Sequence, residues 1–197
     1  MSRYSTLLVS VFVLMFFAGC ATSPASKFYT LSSVQAVAPP QDADPIEISI
    51  AIDPVTVPEL VDRPQIVSRL DANRVSIDEF ARWAEPLKSQ IPRVLAANLA
   101  RLMPEAMIST YPQRVDDDAY RVSIDVQSFD SSADGTITLA VIWSVRPPKA
   151  GRKVNGRSVV HEAVSAPGYD ARVEAYSRAL ASVASDVAVA AYAAMPR

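Results

Sequence analysis

One cysteine, one histidine and five glycines among 197 residues remove several kinds of chemistry at the outset. Cys20 has no second cysteine to pair with, so an internal disulfide is excluded. One imidazole cannot form the histidine pair, at helical or finger spacing, that a zinc centre uses. That imidazole, His161, lies in "SVVHEAV", and no Gly-x-Ser-x-Gly turn exists to hold a nucleophile beside it. Gly-Lys-Ser/Thr is missing too, which excludes a phosphate-cradling loop and an ATPase. The carboxylate run "VDDD" at 115–118 lacks the alternating ligands and turn glycine of a calcium loop, and reads as a solvated loop. Lys and Arg number 19 against 21 Asp and Glu, a net charge of −2, so no basic patch invites nucleic acid. A chain without a catalytic set, cofactor site or metal site is expected to act by binding, not as an enzyme.

Long apolar runs are scarce as well. Leu7 to Ala18 is apolar for about a dozen residues, short of the roughly 20 that span a bilayer. With Arg3 before it, the run has the form of a secretory leader. It ends in Phe17-Ala18-Gly19-Cys20, which resembles the bacterial lipobox, with Phe17 in place of the preferred leucine. An uncleaved anchor and a plain secretory signal with an incidental cysteine are the alternatives. The motif implies a diacylglycerol on the Cys20 sulfur, cleavage before it and a further acyl chain on its freed amino group. Stable membrane attachment takes about two lipid signals, which one such residue supplies. Ala21, where aspartate would retain the product in enteric-type bacteria, implies the outer membrane, facing the periplasm.

Cleavage after residue 19 leaves 178 residues with a net charge of −3, enough for a single domain with a sizeable core. The expected organisation is a signal peptide over 1–19, a lipidated N-terminus with a short strand and tether over 20–44, and one domain over 45–197. "ATSPAS" and "VQAVAPPQDADP" have the composition of tether and loop, so about 24 residues before Asp44 would let the domain stand off the membrane.

Fifteen prolines argue against an all-helical fold. Lys27 to Leu31 reads as a first strand, and Ile46, Ile48, Ile50 and Ile52 alternate as in a half-buried one. Gln65 to Leu70 and Arg74 to Ile77 form a pair around Asp71-Ala72-Asn73. A helix starts near Pro86, a residue suited to the first turn, with Leu87, Ile91, Val94, Leu95 and Leu102 on one face. Pro92 inside it marks either the true start or a kink, and Pro104 ends it. Further strands are expected at 106–110, 120–129, 136–145 and 158–164, with Asp134-Gly135 turning a hairpin. A helix from about Tyr169 to Ala194 carries an apolar stripe that is either a coiled-coil seam or, as its alanine-rich end and lack of flanking charge pairs favour, a face packed on the sheet. The expected class is α+β, a mostly antiparallel sheet with two main helices on one face.

Two stretches are left over, "PVTVPELVDRPQIV" at 54–67 and "FARWAEPL" at 80–87. Pro64 holds Arg63 extended, so its guanidinium projects from a stiff arm. Trp83 stands before the helix, whose positive end Glu85 complements. The stretches form a partner-facing surface, or else Trp83 caps the core and Arg63 pairs with Asp62 or Glu85. Together with the lipobox, "KFYTL", "YRVSIDVQSFD" and "ITLAVIWSV", they resemble the ABC-type transport auxiliary lipoprotein family, which includes the PqiC-like lipoproteins of paraquat-inducible systems. The resemblance implies an accessory lipoprotein moving lipids or other hydrophobic molecules between membranes. Its implied partners are an MCE-type periplasmic substrate-binding protein and an inner-membrane ABC permease and ATPase. It also implies association of copies into a ring, and partner binding or assembly by Arg63, Pro64, Trp83, Glu85 and Pro86. An assembly lipoprotein for an outer-membrane component is the second reading.

Overall fold

The computed structural model describes residues 24–34, 48–111, 118–149 and 151–195. Eight strands and two helices follow in the order β1 (Lys27–Tyr29), β2 (Ile48–Ile52), β3 (Gln65–Arg69), β4 (Val75–Trp83), α1 (Leu87–Leu102), β5 (Ala106–Thr110), β6 (Tyr120–Ser131), β7 (Thr136–Arg146), β8 (Val154–Ala163) and α2 (Tyr169–Ala194). The class is α+β. The strands divide between two sheets, of order β1-β4-β3 and β5-β2-β6-β7-β8. The long pairings β6–β7 and β7–β8 are antiparallel, as is β3–β4. Strands β1 and β4 run parallel, and β2 runs parallel to both its neighbours. A lone bridge between Arg69 and Ser132 brings the end of β3 beside β6, so the two sheets abut.

Strand β2 shows what its alternating isoleucines alone do not reveal. Ile50 and Ile52 are buried, and so is Ala51, which points the other way. A strand with parallel neighbours on both sides sits inside the fold and is covered on both faces. Ile46 lies outside the described residues.

Helix α2 packs on β7 and β8, and α1 packs against α2 and β5. The inward residues of β7, from Ile137 through Leu139, Val141 and Trp143 to Val145, are buried beneath them. Ala175, Ala179, Ala184 and Ala191 have no exposed surface, because a helix lined with methyl groups can approach a sheet closely. Helix α1 begins at Leu87 with Pro86 as its cap and continues through Pro92. Pro92 therefore neither starts nor stops it. Leu102, expected on the buried face, is 37% exposed at the last turn.

Two strands outrun their sequence reading. Strand β4 continues past Ile77 to Trp83, through an irregularity opposite Gln65 and Ile66 that breaks its alternation. There the Asp78 carboxylate accepts the amides of Phe80 (2.8 Å) and Ala81 (3.1 Å), closing a bulge whose polar residues mimic a loop. Strand β8 begins at Val154 and runs through Gly156, which stands opposite Trp143 in the register. A Cβ at position 156 would lie 2.2 Å from the indole, so this glycine is a space requirement and not a chain breaker.

Candidate functional site

Two segments some twenty residues apart meet because β3 and β4 pair. Gln65 registers with Arg82, and the Trp83 amide donates to the Pro64 carbonyl at 2.7 Å. On the other side of β4, Tyr29 registers with Trp83, and the Ala84 amide donates to the Tyr29 carbonyl at 2.9 Å. The chain turns out of β4 and into α1 at once, leaving a cleft of about 360 Å³ between the Asp62–Pro64 corner and the Trp83–Pro86 corner. Arg63, Pro64, Trp83, Glu85 and Pro86, the five residues singled out in the sequence, all line it.

Their roles in the cleft differ. Trp83 is 5% exposed and forms its floor. Its ring meets Phe129 and Tyr176 edge-on, each at 6.1 Å between centroids, and those two rings stack on each other at 4.0 Å. Burial pushes the Tyr176 hydroxyl far above the ordinary tyrosine range. Neither carboxylate proposed for Arg63 is its partner: Asp62 pairs with Lys88 at 2.6 Å, and Glu85 with Arg93. Arg63 is exposed and has no ion pair among the described residues. A free guanidinium thus overhangs a largely apolar cleft whose other charges are matched.

Phe28 completes the rim at 64% exposure. In the sequence it is legible only as part of an aromatic strand; which side of β1 faces the core depends on register with β4, and three residues show too little alternation to tell. Its neighbour Tyr29 turns inward to Tyr169, with ring centroids 5.8 Å apart. The Tyr169 hydroxyl donates to Asp78 at 2.8 Å, and burial, followed by that carboxylate, pushes it up to about 12. Asp78 is held below the ordinary carboxylate value by the Phe80 amide first and the Tyr169 hydroxyl next.

A family model described as the ABC-type transport auxiliary lipoprotein component matches residues 29–188. The chain belongs to that family. A crystal structure described only as that of an uncharacterized protein superposes with a TM-score of 0.72 at 19% identity, covering 84% of this chain and 98% of the other. A Xanthomonas campestris protein of the DUF330 family superposes at 0.64 and 17% identity, covering 83% and 93%. At such identities the likeness establishes a shared fold. No curated protein matches the sequence.

Elsewhere the auxiliary lipoprotein holds several of its polar side chains in structural pairs. His161 lies on the outer face of β8, where its Nδ1 meets the Thr138 hydroxyl at 3.1 Å, while Glu162 pairs with Arg178 at 3.0 Å. No cluster of three metal-ligating side chains occurs among the described residues. No described helix is long and apolar enough to cross a membrane. Cys20 and most of "VDDD" lie outside the described residues.

Proposed function

We propose that this auxiliary lipoprotein is a non-enzymatic docking component of an ABC/MCE-type transport system that moves lipids or other hydrophobic molecules between membranes. In this reading residues 1–19 are removed and Cys20 carries a diacylglycerol and an N-acyl chain. The remaining chain, a short lipidated segment leading into one domain that takes in β1 and Leu31, faces the periplasm from the outer membrane. Its partners are an MCE-type substrate-binding protein and the inner-membrane permease and ATPase, and copies of it associate into a ring.

The observation that carries this reading is the cleft. Five residues selected from two separate motifs converge on one concavity with an unpaired arginine at its lip. Concave apolar surface with a few placed polar groups is the usual form of a binding site, and exposed arginine beside aromatic surface is a common interface anchor. The deciding experiment is affinity purification of the full lipidated chain from its native envelope, with wild type and Arg63→Ala compared. Recovery of an MCE-type protein with ABC components, reduced several-fold by Arg63→Ala, is expected. Undiminished recovery by a folded Arg63→Ala protein would remove the cleft from the docking role. Recovery of a β-barrel without any transporter component would favour the assembly reading.

A further inference from the structure

The fold takes hold of the chain much closer to Cys20 than its composition implies. Lys27–Tyr29 pairs with Ala81–Trp83, and the following residues are tied to both helices. The Leu31 amide donates to Gln90 of α1 at 2.8 Å, the Ser32 amide to Ser177 of α2 at 3.1 Å, and Arg101 to Ser33 at 3.0 Å. Leu31 itself is 7% exposed. Lys27 lies only seven positions beyond Cys20. Fully extended, at roughly 3.3–3.6 Å per residue, that stretch reaches about 25 Å.

A body leashed this tightly presents to the bilayer whatever surrounds the leash's point of entry. Residues 24–28 are all exposed, and among them Phe28 offers a bare aromatic ring. Lys27 beside it and Arg63 across the cleft have no ion pair among the described residues. An exposed phenyl ring flanked by free cations matches an interfacial membrane contact, in which apolar side chains bury at the headgroup–acyl boundary and cations meet phosphate.

We propose that Phe28 rests in the phospholipid interface of the membrane that holds the Cys20 acyl chains, so that the cleft opens at the lipid surface. This rests on the reading of Cys20 as acylated. The tether then sets position: a partner entering the cleft does so within reach of the bilayer, not at a standoff of 24 residues.

The test uses the full-length lipidated protein in phosphatidylethanolamine–phosphatidylglycerol vesicles, with a nitroxide label on Phe28→Cys, the sole free thiol once Cys20 is blocked. Electron paramagnetic resonance should show the label gaining oxygen contact and losing contact with a water-soluble nickel chelate on vesicle binding. A long Gly/Ser insertion after Thr22 should restore several-fold nickel contact while the protein still floats with the vesicles. Flotation with an equally nickel-accessible label in both proteins overturns this inference alone. A label shielded without vesicles, or shielded regardless of tether length, assigns the ring to a second copy or a protein partner and likewise overturns it. Failure of the uninserted protein to float overturns the acylation reading and this inference with it.

Discussion

Trp83 and Arg63 line the same cleft, yet substitution tests different properties in each. Removing a buried indole that braces Phe129 and Tyr176 costs about 3–5 kcal/mol in comparable cores. Trp83→Ala should therefore show a markedly lower denaturant midpoint, measured by equilibrium unfolding, before any docking loss can be assigned to it. Arg63→Ala, exposed and unpaired, should leave that midpoint nearly unchanged. Gly156 sets a second constraint at this scale. Its replacement by alanine drives a Cβ to 2.2 Å from the Trp143 ring and disturbs the 2.9 Å bond from Trp143 Nε1 to Ser158. A penalty of about 1–3 kcal/mol is expected from such overpacking, and in a Trp143→Leu background the Gly156→Ala substitution should lose most of that penalty in unfolding experiments. The Asp78–Tyr169 pair makes stability depend on pH at both ends. The folded Asp78 carboxyl titrates below its ordinary value of 3.8, so its contribution is complete above that pH and is lost as pH falls through the lowered value. Tyr169 titrates at about 12 against an ordinary 10.0, so its contribution is complete below pH 10.0 and lost as pH rises toward 12. Unfolding midpoints across pH should show the acid limb flattened in Asp78→Asn and the alkaline limb only reduced, because burial of Tyr169 is the larger cause of its shift; unaltered limbs would deny the pair its role.

Elements with a regular pattern were legible in the sequence, and those whose pattern serves a tertiary need were not. Strand β5 and helix α2 fall where they were expected, Ala106–Thr110 and Tyr169–Ala194, because each is an uninterrupted run between clear breakers. The sequence pattern of β4 stops at Ile77 because the bulge closed by Asp78 interrupts its alternation, and that of β8 starts late because Gly156 answers an indole on the neighbouring strand. Helix α1 carries Pro92 in its interior, where proline lacks the amide for one helical hydrogen bond and costs up to about 3 kcal/mol relative to alanine. Pro92→Ala should raise the thermal midpoint while leaving helical circular dichroism intact or increased. A fall would mean that the ring's packing, half-buried at the protein surface, outweighs the lost bond.

At the scale of the whole molecule, the proposed attachment to the membrane rests on Cys20. Cys20→Ala should accumulate as an unacylated precursor, and mass spectrometry of the envelope fraction should find no added acyl mass; a membrane-bound, acylated Cys20→Ala product would refute the anchor. Composition and motif alone determined the absence of an internal disulfide and of a Gly-x-Ser-x-Gly nucleophile turn, the α+β class and the family to which residues 29–188 belong, because residue types and local periodicities are written directly in the chain. The five motif residues could also be selected there. Only tertiary structure decided that they surround one cleft, that Trp83 is its floor and Phe28 its rim, and that Asp62 and Glu85 serve Lys88 and Arg93, leaving Arg63 free. Strand register and helix docking bring together groups far apart in the chain, and pairings across such distances leave no local periodic trace.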